Sequence, residues 1–310
     1  MIDITLLGTS ALIPLPDRAE TAAKLALGGH SILFDCGEGT QTAARKAGVS
    51  LMKTDMIALT HYHGDHTFGI PGLLQTMCRM GRTEPLYITG PAGLDRELEP
   101  LLRLASVTEF EIRLIHIGST GIRLSDISDG WDRGARLSAF PTAHRVPSQG
   151  YCFELERTGK FNPRRAQELR ISVQLWSRLQ KGESVYSDGR LIQACEVLGA
   201  DRRGLKFVFT GDTAFCDSVA EAAKDADLLI CDATYGENAQ AELAHEHGHM
   251  CFSQAAETAK RAGVRELWLS HYSQMIRDPN EYLSNATEIF ENSVCGADGM
   301  AKTLRFDEDG

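Results

Sequence analysis

Apolar residues recur along this chain in two rhythms that alternate from end to end. Short apolar runs at residues 4–7, 31–35, 56–59, 87–89, 137–140, 206–210, 228–232 and 266–270 are too brief for helices, which predicts buried strands. Between them, apolar positions fall three and four apart over residues 39–47, 69–80, 94–104, 218–224, 253–262 and 280–290, which predicts amphipathic helices. The class is mixed α/β. ALTHY (58–62) and WLSHY (268–272) are both strand ends carrying a hydroxyl residue, His and Tyr, an echo that suits a sandwich of two similar halves.

The chain has 310 residues, 43% of them apolar, and no proline- or serine-rich linker, so it is read as one domain over residues 1–310. It enters a strand directly, with no basic segment leading an apolar stretch, and no apolar run approaches the length of a membrane span. A cytoplasmic location with no membrane partner is expected. Eight cysteines form no C-x-x-C pair and lie mostly in apolar runs, so reduced core thiols are expected, a disulfide or zinc knuckle being the alternative.

Charge changes this picture in one place. A net charge of −10 disfavours a polyanionic partner. Within residues 157–181, however, Arg157, Lys160, Arg164, Arg165, Arg170, Arg178 and Lys181 are opposed by Glu168 alone. This segment is read as a basic arm inserted in the domain, a handle for RNA, the plain alternative being a solvated helical face. Phe161 and Trp176 are expected to anchor the arm to the body rather than stack on bases.

The densest chemistry lies in ALTHYHGDH (58–66), where three histidines and an aspartate leave a buried strand. In extended chain His61 and His63 point the same way and reach one cation; past Gly64, Asp65 and His66 turn toward a second. Imidazole and carboxylate without thiolate suit a borderline ion such as zinc at a catalytic site, although manganese, cobalt or iron fit the same donors.

H-x-H-x-D-H resembles the signature of the metallo-β-lactamase superfamily. LGTS (7–10), FDCGEGTQ (34–41), LQKGES (179–184), FTGDT (209–213) and GH (248–249) further resemble, in order, the blocks of the RNase Z group, the tRNA 3′ endonucleases. The resemblance implies a four-layered αββα sandwich with a protruding arm, two zinc ions and a homodimer acting on precursor tRNA. It implies His61, His63 and His144 on one metal, Asp65, His66 and His271 on the other, and Asp212 bridging both. Three positions depart from the group's pattern: Ala19 where Asn is usual, Val173-Gln174 where Gly-Pro is frequent, and Asp232 where Glu is usual.

Two metals lower the pKa of a shared water to near neutral and clamp phosphate oxygens, which is what phosphodiester cleavage by hydroxide requires. Asp65 is assigned the nucleophile's proton. The resemblance makes His249 the residue that assists departure of the ribose 3′-oxygen, with Asp232 orienting it. Lys160, Arg164 and Arg165 are assigned to RNA, as is Ser273, whose hydroxyl serves either a phosphate or a turn. His245 and His247 are read as exposed bystanders. The expected activity is endonucleolytic removal of the 3′ trailer of precursor tRNA. The alternatives are a phosphodiesterase acting on small phosphodiesters or cyclic nucleotides, which needs no arm, and a di-iron redox protein, which usually has Glu at the place of His63 and a flavin domain.

Overall fold

Every predicted strand belongs to one of two seven-stranded sheets. The computed structural model describes residues 1–107 and 109–307. The first sheet takes β1 (Ile2–Gly8), β2 (Ala22–Leu27), β3 (His30–Phe34), β4 (Met56–Ala58), β5 (Leu86–Thr89) and β6 (Ile112–Ile115). The second takes β7 (Ile122–Arg123), β8 (Ala135–Pro141) and β9 (Gln149–Arg157). A separate hairpin follows, β10 (Val185–Ser187) and β11 (Arg190–Ile192). The second sheet is completed by β12 (Arg202–Phe209), β13 (Leu228–Asp232), β14 (Leu267–Ser270) and β15 (Ser293–Cys295), and β16 (Ala301–Leu304) returns to the first.

The orders are β16-β1-β2-β3-β4-β5-β6 and β7-β8-β9-β12-β13-β14-β15. In both, the pairings are antiparallel as far as the central strand, β3 or β12, and parallel beyond it. The two halves therefore match position by position, but the short sequence echo does not: HY (61–62) follows β4, next to the centre, and HY (271–272) follows β14, one strand further out. Shared ligand chemistry at strand ends accounts for the echo better than an aligned repeat.

The inner faces meet in one apolar layer. Phe34 from β3 sits fully buried with its ring centroid 5.5–5.8 Å from those of Tyr151, Phe207 and Phe209 on the opposite sheet. Burying one such ring contributes about 1.5–3 kcal/mol. Outside, helices Thr40–Lys46, Ile70–Arg79 and Leu94–Ala105 cover the first sheet, and Asp217–Ala222 and Phe252–Ala262 cover the second. The layering is αββα, as expected. The predicted helix over 280–290 is broken into a 3-10 turn, Pro279–Tyr282, and a short helix, Ser284–Thr287. Tertiary contacts override the periodicity there: Tyr282 packs on Gly236 and Phe252, and the Asn285 amide donates to the Gly236 carbonyl (2.8 Å). All eight cysteines are free thiols.

The arm is larger than its basic stretch. Helices Pro163–Glu168 and Val173–Gln180 and the β10-β11 hairpin enclose a core of their own built from Ala166, Ile171, Leu179, Val185, Ile192 and Val197. A narrow neck closes it, where Asn162 N–H donates to Val197 O (2.8 Å) and Gly199 N–H to Lys160 O (2.9 Å). A side chain at Gly159 would stand 2.0 Å from the Gly199 carbonyl oxygen, so the two strands of the neck meet this closely only with glycine there. Phe161 and Trp176 contact each other (5.3 Å) inside this small core, and Trp176 Nε1 donates to Ile171 O (3.1 Å). They hold the arm together internally rather than tying it to the body. Arg157 leaves the basic set: it ends β9, lies over Phe306 (4.8 Å) and donates to the Asp307 carbonyl.

Candidate metal centre

The ends of five strands converge at one edge of the sandwich. Beyond β4 the chain bends at Thr60, passes through His61 and enters a one-turn helix, Gly64–Thr67, at whose N-terminus His63 sits. His144 lies three residues beyond β8, Asp212 three beyond β12, Asp232 ends β13 and His271 follows β14. His271 (φ 63°) and Asp35 (φ 53°) adopt left-handed backbone, a strained state for such residues that clusters at functional sites.

All seven ligands inferred from sequence are brought together. His61 Nε2 lies 2.9 Å from His63 Nδ1, which lies 3.4 Å from His144 Nε2, and Asp212 Oδ2 is 3.6 Å from His61 Nε2. In the second group Asp212 Oδ1 is 3.2 Å from His66 Nε2 and 3.1 Å from His271 Nε2, while Asp65 Oδ2 is 3.6 and 3.4 Å from the same nitrogens. Bonds of roughly 2.0–2.2 Å to a tetrahedral ion place neighbouring ligand atoms about 3.3–3.6 Å apart, so each group fits one divalent ion. His66 Nε2 and Asp212 Oδ1 are buried without a hydrogen-bond partner, which a metal bond would satisfy.

Outer hydrogen bonds aim the rings. His61 Nδ1 meets Thr60 Oγ1 (3.1 Å), His66 Nδ1 meets Asp35 Oδ2 (2.7 Å), His144 Nδ1 meets the Gly248 carbonyl (2.9 Å) and His271 Nδ1 meets Thr234 Oγ1 (2.9 Å). In each case the other nitrogen is left for a metal. A side chain on Gly248 (φ 79°) would come within 2.7 Å of His144 Nδ1, so glycine is what lets the carbonyl reach that ring. Asp35 and Thr234 are functional residues that the sequence reading missed. Asp35 was visible only as a member of the FDCGEGTQ block, directly after the strand that ends in Ile32-Leu33-Phe34, with nothing to tie it to a histidine. Asp35 is fully buried and also accepts from Thr60 N–H and Thr60 Oγ1 (both 2.8 Å). Asp35→Ala is expected to weaken metal binding about 10- to 100-fold while leaving every ligand in place, to be checked by chelator competition.

Charge in the cluster is arranged for cations. Burial would raise the Asp212 carboxyl, but His271, His66 and His61 around it hold it well below the usual range. Burial would lower His66, yet Asp212, Asp35 and Asp65 hold it well above the usual range. His66 thus carries a proton that an arriving metal displaces, coupling metal loading to pH. Burial opposes ionisation of Asp65 too and is overcome by His66 and His271, keeping it a carboxylate; Asp65 Oδ2 also accepts from Leu12 N–H (2.8 Å).

His249 stands beside this cluster. Its Nδ1 lies 2.8 Å from Asp232 Oδ2, so the shorter carboxylate reaches it without the extra methylene of Glu. Burial would depress His249, but Asp232 outweighs that and pushes it up to about 9. Asp232 Oδ1 accepts from Thr234 N–H (3.0 Å) and Thr234 Oγ1 (2.8 Å), and Oδ2 accepts from Thr213 N–H (3.1 Å). With both oxygens engaged by donors, Asp232 is placed to orient His249, and its carboxylate also lies among the ligand atoms of Asp212, His249 and His271. A cavity of about 520 Å³ opens over the cluster, and His63, Asp65, His249 and Ser273 are among its lining residues. His247, exposed as expected, is also among the lining residues, and His245 is exposed elsewhere on the helix. The Ser273 hydroxyl accepts from Met275 N–H (3.3 Å), a turn contact that leaves its proton available. Lys160, Arg164 and Arg165 lie on the arm, the two arginines sharing Glu168 (3.6 and 3.1 Å).

Residues 194–272 match the family described as Beta-lactamase superfamily domain, and residues 2–109 that described as Anti-Pycsar protein Apyc1. The ribonuclease Z of Lachnoclostridium phytofermentans is 42% identical over 310 residues, 99% of each chain. The chain belongs to the ribonuclease Z family. The crystal structure of the short form of human tRNase Z superposes with a TM-score of 0.67 at 27% identity, covering 98% of this chain and 100% of that one. The metallo-β-lactamase fold protein YhfI from Bacillus subtilis gives a TM-score of 0.68 at 20% identity, covering 97% and 98%. The fold is thus the metallo-β-lactamase fold. Of the departures from the ribonuclease Z pattern, Ala19 lacks a polar side chain, but its N–H is held by Asp298 Oδ2 (2.6 Å), and Val173 begins an arm helix with its side chain exposed.

Proposed function

We propose that this chain is a metal-dependent endoribonuclease that removes the 3′ trailer of precursor tRNA, leaving a 3′-hydroxyl on the tRNA and a 5′-phosphate on the trailer. The observation that carries this reading is 42% identity with a ribonuclease Z over the full length, together with two groups of candidate ligands that both approach Asp212. His61, His63, His144 and Asp212 would hold one divalent ion and Asp65, His66, His271 and Asp212 the other, zinc suiting these donors best. Ions bound there supply Lewis acidity toward phosphate oxygens and a nucleophile at neutral pH. The protein supplies the proton transfers. Asp65, held as a carboxylate, takes the proton of the attacking water, and His249, kept cationic by Asp232, gives one to the departing 3′-oxygen.

The arm supplies affinity. No lining residue of the cavity comes from residues 160–198, so the arm stands apart from the active site of its own chain. This supports a homodimer in which the arm of one subunit holds RNA over the cavity of the other. Among the described residues no helix is long and apolar enough to cross a membrane; the cytoplasm is the compartment proposed. Cleavage of a 3′-extended precursor tRNA, mapped to the nucleotide with and without chelator, tests the activity. Excising residues 160–198 and rejoining the neck, which leaves both sheets whole, is expected to raise KM for this RNA at least about tenfold, through lost phosphate contacts, with hydrolysis of bis(p-nitrophenyl) phosphate retained. Equal RNA cleavage with and without the arm would favour a phosphodiesterase of small substrates.

A further inference from the structure

One wall of the cavity belongs to neither the metal groups nor the His249–Asp232 pair. Tyr235 follows β13, and His247 is the last residue of helix Ala241–His247. The Tyr235 hydroxyl lies 2.6 Å from His247 Nδ1, and both residues line the cavity mouth, Tyr235 half-buried and His247 exposed. The pair is tied to the reacting centre at both ends. His247 precedes Gly248, whose carbonyl fixes His144, and the Tyr235 ring lies 6.5 Å from that of His249. Arg145, next to His144, lines the same cavity and makes no ion pair among the described residues.

We infer that the Tyr235–His247 pair binds a backbone phosphate of the RNA adjacent to the scissile one, with His247 Nε2–H as the donor and Tyr235 as its positioning residue. The inference deepens the proposed function and rests on it. A phosphate oxygen only accepts, so it selects the imidazole tautomer protonated at Nε2. Nδ1 is then an acceptor, and the Tyr235 hydroxyl is the donor already in place 2.6 Å away. Tyrosine thereby sets the tautomer and the ring angle, much as a carboxylate or carbonyl does for a metal-bound histidine. Arg145 contributes the charge at this rim.

The test uses the full-length, metal-loaded enzyme and precursor tRNA. A hydrogen bond to a charged oxygen is worth enough that His247→Ala should raise KM about tenfold or more, with the loss falling in KM and not in kcat. Tyr235→Phe should reproduce a smaller part of that rise, and His247→Gln, which keeps an N–H donor, should recover much of it. Arg145→Gln should flatten the dependence of log affinity on log salt by about 0.7, the value of one phosphate contact on a single strand, whereas His247→Ala should leave that slope alone. Precursors carrying one uncharged methylphosphonate at each position near the cut locate the partner: at one flanking position wild type and His247→Ala should converge. Unchanged KM in His247→Ala, a loss confined to kcat, or no converging position would overturn the inference. Failure of the wild-type enzyme to cut the precursor would overturn the reading beneath it.

Discussion

Replacing Asp212 by alanine is expected to abolish cleavage of precursor tRNA and to empty both metal positions together. Asp212 is the one residue with an oxygen in each ligand group, Oδ2 toward His61 and Oδ1 toward His66 and His271. Losing it removes a ligand from each ion and the group that sets their separation. Metal ions at such sites supply several kcal/mol of transition-state stabilisation, which corresponds to a fall in kcat of roughly 10³-fold or more. The measurement is metal content of the purified variant beside its turnover. Retention of two ions per chain would contradict the bridging role. The variant also exposes a stability trade: three histidines lose the anion that compensates them, but the repulsion between Asp212 and Asp65 goes too. Circular dichroism of the metal-free proteins therefore separates loss of metal from loss of fold.

The second large effect concerns His249. Its replacement by alanine should lower kcat about 10²- to 10⁴-fold, the usual contribution of a positioned general acid, while metal content stays at the wild-type level. The pH profile carries the finer information. His249 works as an acid only while protonated, so kcat falls as pH rises through its pKa. The Asp232 carboxylate pushes that value up to about 9, and bound cations act in the opposite direction, so the falling limb lies at or below about pH 9. In Asp232→Asn that anion is gone and burial, which lowers the pKa, is opposed only by the more distant Asp212 carboxylate (4.0 Å). The limb should then move to lower pH. A limb that stays in place would remove His249 from the acid role.

Much of the site was legible because each ligand follows an apolar run, and a buried strand that ends in His or Asp has few structural reasons to do so. The seven ligand positions, His249 and Asp232 could be named for that reason together with the family resemblance. The partners that aim the rings were less visible. Thr60 and Thr234 are residue types common at any strand end, and the Gly248 carbonyl carries no side-chain signature at all. The role inferred for His247 depends on Tyr235, twelve residues away on another element, a pairing that no spacing in the chain announces. In the fold, the antiparallel strands β2 and β9 escaped notice: AAKLAL (22–27) alternates small and large residues weakly, and QGYCFELER (149–157) mixes polar with apolar side chains on both faces. The edge strands β15 and β16 are three and four residues long, and only pairing with a neighbour makes them strands.

The closed neck of the arm separates two stabilities within one chain. A unit with its own small core, joined to the sandwich through this neck and the Arg133–Glu183 ion pair (3.3 Å), is expected to open at a lower free energy than the sandwich that carries it. If the arm holds RNA as proposed, warming should weaken binding of long substrates before it touches the chemistry. The same independence would let the sequence of this unit drift or lengthen without disturbing the residues placed to hold metal.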